Sequence, residues 1–288
     1  MRYQISHTTT YNYSRPVTLL PHVIRLRPRS DSCQTLRSFS LLVSPTPQQE
    51  SQIVDLEGSG TVKVWFKQEQ TDSLRVQVIS QVETHCINPF NYLLEPWAVT
   101  LPIDYPSSLS VHLQPYLVGP RSGYAAAIDP IALQLAQELH HQVDGNVTSF
   151  LSELTQKIYK GCQQVIRETG EPFSPGITWT KRSGSCRDLT VLFMEVCRAI
   201  GLPSRFVSGY QEGDPGSTDL HLHAWAEVYL PGAGWRGFDP SHGTAVADRH
   251  IALVSSIFPA YAAPISGSFS QGSGAQAEMT YQLLIQGF

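Results

Sequence analysis

The chain has 288 residues, 41% of them hydrophobic and 15% charged, with a net charge of -4. That length favours two domains or one large one, and the apolar fraction supports a real core. The charge balance argues against nucleic acid and anionic membrane surfaces as partners, since both attract basic patches.

No apolar run approaches the roughly 18 residues that span a bilayer. The opening MRYQISHTTTYNYS has no apolar segment of the kind a secretory signal carries, so a cytoplasmic protein is expected. The five cysteines, at 33, 86, 162, 186 and 197, are odd in number and irregularly spaced. This argues against a disulfide framework and against a CxxC-type zinc site.

The first region reads as β. Residues 2–12 and 22–28 alternate, and IRLRPR (24–29) sets Ile24 and Leu26 against Arg25 and Arg27 as a half-exposed strand does. TVKVWFK (61–67) follows a Gly-Ser-Gly turn, and Leu74, Val76, Val78 and Val82 keep a period of two. Short strands separated by turns predict an antiparallel sandwich or barrel. Residues 85–127, rich in proline and aromatics, read as an ordered surface connection. Helices follow: Asp129 caps one with Pro130 at its first position. Asn146 caps a second, with Phe150, Leu151, Leu154, Ile158 and Val165 inward. Residues 168–182 read as loop, a third helix begins near Cys186, and strands are expected at 205–210, 221–230 and 235–239. The Ser/Gly-rich segment 264–276 reads as mobile, and AEMTYQLLIQ (277–286) as a last strand. The expected division is 1–125, the β domain with its connection, and 126–288.

The stretch SGSCRDLT (183–190) holds the first candidate chemistry. Apolar residues at 189, 192, 193, 196 and 200 form one helical face, ended by Gly201 and Pro203. Ser185 and Asp188 resemble a capping box, which puts Cys186 at the first helical position. Unpaired N–H groups and the helix dipole favour an anion there, and a thiol pKa falls when an imidazolium joins them. Gly184 would leave room for a substrate backbone. The competing reading is a small buried filler, which Cys197 illustrates, deep in the same helix beside its apolar stripe.

A nucleophilic cysteine needs a base. HLHAWAEVYL (221–230) puts His221, His223, Trp225, Glu227 and Tyr229 on one face and small apolar residues on the other. PGAG (231–234) turns into WRGFDP, where Asp239 ends a strand ahead of Pro240 and is placed to orient a histidine ring. The simplest register, Leu230 opposite Trp235, would turn Asp239 away from His223. A bulge at Gly237 or another register is then required.

These motifs together resemble the transglutaminase-like superfamily of bacterial cysteine proteinases: Gly184-Ser185-Cys186-Arg187-Asp188, His223-Ala224-Trp225 and Phe238-Asp239-Pro240, in that order. GLPSRFVSGY (201–210) resembles the strand after the family's cysteine helix. TTTYNYSRPV and RLRPR resemble the β domain that precedes the core in many bacterial members. The resemblance implies an α+β protein: an N-terminal antiparallel, sandwich-like β domain, then a papain-like core with its cysteine helix packed on an antiparallel sheet. It implies Cys186 as nucleophile, His223 as base and Asp239 as orienter, with no cofactor and a protein or peptide substrate. Gly184, Ser185, Trp179, Trp225 and His221 are the expected pocket residues, with Trp179 and the Cys186 N–H as candidate oxyanion donors. Leu189-Thr190 and Ser241-His242 depart from what members often carry at those places.

The expected activity is thiol-dependent acyl transfer from an amide, with hydrolysis favoured because water needs no acceptor site. Amine transfer and an inactive binding module are the alternatives. A zinc site built from Cys186, His221, His223 and Asp239 would use suitable ligand types but would quench the nucleophile.

Overall fold

The computed structural model describes residues 1–119, 127–167, 169–213, 221–270 and 274–288. The first third of the chain forms six strands: β1 (Arg2–Leu19), β2 (His22–Ile24), β3 (Gln34–Ser44), β4 (Gln49–Val54), β5 (Gly60–Trp65) and β6 (Gln70–Thr84). Period two is clearest in β6, where Leu74, Val76, Val78 and Val82 are buried and Arg75, Gln77 and Gln81 between them are not.

Two antiparallel sheets result, and both are completed by the last part of the chain. In the first, β1 is central. It pairs with β6, which pairs with β3, and on its other side with β15 (Phe269–Ser270) and β16 (Ala277–Gly287). In the second, the order is β14 (Ile265–Ser266), β2, β5, β4. β16 runs beside β1 from Tyr3↔Gly287 to Tyr13↔Ala277. A cut at 125/126 in sequence therefore leaves three strands of these sheets on the far side. Residues 264–276 also differ from the mobile segment expected: 265–266 and 269–270 are strands, while 271–273 lie outside the described residues. Ser266 and Ser270 belong to edge strands and Gly274 to a turn.

Residues 85–127 contain a helix the sequence did not signal, α1 (Ser107–Val118). Only Leu113 of it is buried and Pro115 interrupts it, so it carries no apolar stripe. The expected caps are present on α2 (Pro130–Gln142), where Asp129 accepts from the N–H groups of Ile131 and Ala132, and on α3 (Val147–Gly161), where Asn146 accepts from Ser149. Val165 lies beyond the end of α3 and is exposed rather than inward. The segment expected as loop contains α4 (Pro175–Lys181), flanked by two-residue parallel strands β7 (Gln163–Gln164) and β8 (Ser183–Gly184). At seven residues it is too short to show a helical period.

The core sheet has the order β12-β11-β10-β9-β13, built from β9 (Ser204–Gln211), β10 (Leu222–Leu230), β11 (Gly234–Asp239), β12 (Thr244–Ala245) and β13 (His250–Ser256). α5 (Cys186–Ala199) packs on β10 and β9 and is backed by α2 and α4. Leu189, Leu192, Phe193 and Val196 meet Ala224, Ala226, Val228 and Leu230 in the buried core.

The two halves are joined through charge. Glu227 on β10 holds Arg29 (2.6 Å) and Arg205 (2.7 Å), and Arg205 also reaches Glu57 (3.2 Å). Arg25 donates to Ala263 O and Ser266 Oγ. The strand expected over 22–28 stops at Ile24, and the basic residues after it serve as cross-sheet anchors.

Candidate active site

Cys186 is the first residue of α5, half-buried, with Ser185 as N-cap. The Asp188 carboxylate reaches back to the Ser185 N–H (2.7 Å) and hydroxyl (2.8 Å). Its other oxygen accepts from Phe173 N (2.7 Å) and from the Arg167 guanidinium. Burial would raise the Asp188 pKa, but these donors outweigh it and hold it below its ordinary value. Asp188 thus ties the cysteine turn to the preceding segment. Gly184 serves this packing and not a substrate: a Cβ there would sit 2.8 Å from Asp188 Cβ and 3.2 Å from Thr178 Cγ2.

The strand register answers the question left by the sequence. Leu230 pairs with Gly234, Tyr229 with Trp235 and Ala226 with Phe238, one residue off the simplest alignment and without a bulge. A one-residue slip exchanges the faces of a strand, so Asp239 turns towards His223. His223 Nε2 bonds Asp239 Oδ2 at 2.7 Å, which leaves Nδ1 clear of Asp239, and Cys186 is near enough for its charge to act on the ring. Burial alone would push the imidazolium down. The charge and hydrogen bond of Asp239, with Cys186 on the other side, instead raise the His223 pKa to about 10.

Asp239 is fully buried and receives two further histidines. His242 Nδ1 lies 2.9 Å and His250 Nε2 3.1 Å from the same Oδ2, and Oδ1 accepts from the N–H groups of Ser241 (2.9 Å) and His242 (3.3 Å). Burial opposes the charge, but these partners hold the Asp239 pKa well below the usual carboxylate range. His250 is pushed the other way by burial, which lowers its pKa and keeps it a neutral Nε2–H donor; its Nδ1 has no partner among the described residues. Trp225 floors the cluster, edge-on to His250 at 5.3 Å between ring centroids. It lies where a Cβ on Gly209 would stand, 2.4 Å from its ring, so β9 needs glycine there.

A cavity of about 510 Å³ opens beside Cys186 and His223. Ser185 and His221 line it, and His221 Nδ1 is hydrogen-bonded to the Tyr281 hydroxyl. Trp225 lies beneath it rather than in its wall. Trp179 is elsewhere: it stacks with Arg182 at 3.7 Å and lines a separate hollow near α3, so it is no oxyanion donor for Cys186. The metal-ligand geometry also differs from the set considered from sequence. Among the described residues, His223, Asp239 and His250 bring ligand atoms within 4.8 Å of one another, without Cys186 or His221.

Sequence reasoning missed His242 and His250, and the cavity wall from the terminal strands. His242 follows the Phe-Asp-Pro motif directly, so proximity alone signals it. His250 opens an apolar run, HIALVSS, whose strand is buried on both faces and carries no alternation.

Comparisons with known proteins fit this geometry. Residues 3–83 match the family model of the bacterial transglutaminase-like N-terminal region, and residues 134–240 match that of the transglutaminase-like superfamily. The chain belongs to the transglutaminase-like superfamily. Cys186, His223 and Asp239 all fall within the second match. An uncharacterized protein of Mycobacterium tuberculosis is 27% identical over 269 residues, spanning 88% of this chain and 82% of its own. A protein-glutamine gamma-glutamyltransferase of Pseudomonas aeruginosa is 30% identical over 127 residues, 41% of this chain and 19% of that protein. A solved structure described as a candidate cysteine protease, from Cytophaga hutchinsonii, superposes with a TM-score of 0.70 at 20% identity, over 100% of this chain and 91% of that one. It shares the fold of this transglutaminase-like chain. At family level, the fold supports thiol-dependent acyl transfer.

Proposed function

We propose that this chain hydrolyses an amide or peptide bond through Cys186, His223 and Asp239. The observation that carries the reading is His223, bonded through Nε2 to the buried Asp239 and lining the same cavity as Cys186. In this reading the thiol proton passes to Nδ1, and the resulting imidazolium is held by the buried Asp239 carboxylate. Sγ attacks the substrate carbonyl, and the oxyanion that forms meets N–H groups of the first turn of α5, Cys186's own among them. His223 then gives its proton to the departing amine as the C–N bond breaks, leaving a thioester. Water, losing a proton to His223, releases the acid and restores the thiol.

Amine transfer is the second reading, favoured by the stretch shared with the Pseudomonas aeruginosa glutamyltransferase. The first half-reaction is the same, and an amine replaces water in the second. A glutaminyl peptide offered with a labelled primary amine separates the two. Ammonia leaves in the first half-reaction either way, so hydrolysis is the ammonia released less the label incorporated; we expect that difference to exceed incorporation, and both to vanish in Cys186→Ala. Incorporation exceeding hydrolysis would replace our reading with the second.

A further inference from the structure

The cavity beside Cys186 is not built from the core alone. Tyr11 of β1 and Met279 and Tyr281 of β16, all in the first sheet, line it opposite the cysteine helix. Cross-strand pairing sets Tyr11 against Met279 and Thr9 against Tyr281, so these side chains form one patch. The His221–Tyr281 bond fixes this patch against the start of β10. On the core side, Val165 and Ile166 line the same cavity, and Ile166 is 69% exposed. An exposed branched aliphatic at the mouth of a cavity beside a thiol is placed to meet a ligand.

Among the described residues, the charged groups around the cavity are already engaged or stand at its rim. Arg167 binds Asp188 and the carbonyls of Thr169 and Glu171, and Arg187 binds the carbonyls of Gly170 and Arg167. Glu171 is exposed. His7, deeper in the wall, is bonded to Tyr210 and Thr9, and burial holds its pKa down to about 4, so it is neutral. Among the described residues, a charged substrate side chain entering this space would lose water without gaining a partner.

We propose that the terminal strands select the substrate, which carries a bulky uncharged side chain, aliphatic or aromatic, beside the carbonyl that Cys186 attacks; Met279 and Tyr281 are its specificity-determining residues. This rests on the hydrolytic reading only in using Cys186 to mark the carbonyl. The volume, within the roughly 300–1,000 Å³ of ligand sites, accommodates such a side chain with flanking backbone.

The test separates binding from chemistry. Fluorescein-labelled tetrapeptide amides that differ only in one residue, Leu, Phe, Glu or Lys, are titrated by anisotropy into Cys186→Ala, which binds but does not consume them. Leu and Phe peptides are expected to bind at least about tenfold tighter than Glu or Lys peptides, the range one side chain gives in an apolar pocket. Adding Met279→Ala or Tyr281→Ala should erase most of that preference. Equal binding of charged peptides, or a preference that survives both changes, overturns the proposal. Iodoacetamide labelling of wild type, read at Cys186 by mass spectrometry, tests the nucleophile separately, so the two readings fail by different measurements.

Discussion

Two buried carboxylates lie on neighbouring strands of one sheet and are neutralised in opposite ways. Glu227 on β10 is held by the guanidinium groups of Arg29 and Arg205. Asp239 on β11 is held by the rings of His223, His242 and His250 on one oxygen. Arginine does not titrate in the accessible range and fixes geometry with a planar fork. Histidine carries a proton that can leave. The first arrangement joins two sheets permanently; the second holds a proton beside a sulfur. Burial would raise both carboxyl groups, and in both the partners win, bringing Glu227 to about 2.

The largest test of that contrast is Asp239→Asn. The amide keeps the shape but cannot hold the imidazolium, so turnover is expected to fall about 10⁴-fold, as when a triad aspartate is replaced. Measured kcat/KM on a peptide substrate checks this; a fall below tenfold would mean that His223 does not depend on Asp239. Glu227→Gln should do the reverse. It leaves two buried guanidinium groups undercompensated, at a cost of about 3–5 kcal/mol of stability. Urea denaturation reads that loss, while the rate of Cys186 alkylation in the folded fraction stays at the wild-type value.

The pH dependence sharpens the same comparison. Glu227 has a folded pKa below its ordinary one near 4.3. Its stabilisation is therefore complete above that value and is lost as pH falls through about 2. His223 has a folded pKa above the ordinary 6.5, so its contribution is complete below that and fades as pH rises through about 10. Nitrogen-15 shifts of the His223 ring should report an imidazolium across the neutral range, with a midpoint that falls in Cys186→Ala because the sulfur no longer supports the proton. A neutral ring at pH 7 would contradict the arrangement. The smallest effect belongs to His242→Gln. Its side chain is 42% exposed, so losing one of the three ring donors to Asp239 should cost about 1 kcal/mol, a severalfold drop in kcat with KM unchanged.

The fold was legible where periodicity and caps speak. The α5 stripe, the Asp129 and Asn146 caps and the alternation of β6 are local signals, and each element forms where it points. The fold class implied by the resemblance, an antiparallel β region followed by a cysteine helix on an antiparallel sheet, is the one observed. Legibility failed where a side chain's role depends on a distant partner. The sequence places Asp239 at a strand end but leaves its face to the register, which the turn at Gly232 and Gly234 fixes, both at positive φ. Gly184 and Trp179 sit close to Cys186 in sequence, yet one serves Asp188 and the other packs against Arg182. His250, 64 positions from Cys186 in the numbering, arrives at Asp239 because β13 pairs with β9. No local pattern carries that pairing.

The pairing of β1 with β16 also sets an order of events. Tyr3 lies opposite Gly287, so the sheet that walls the cavity closes between residues far apart in sequence. Such contacts form late, because loop closure must precede them. During synthesis, Cys186, His223 and Asp239 are all translated before Met279 and Tyr281, and a cysteine side chain beside an open, unwalled cleft precedes the finished one. β16, made after Cys186, His223 and Asp239, completes the wall that, in our proposal, chooses the substrate; a nascent chain would carry its chemistry before its selectivity.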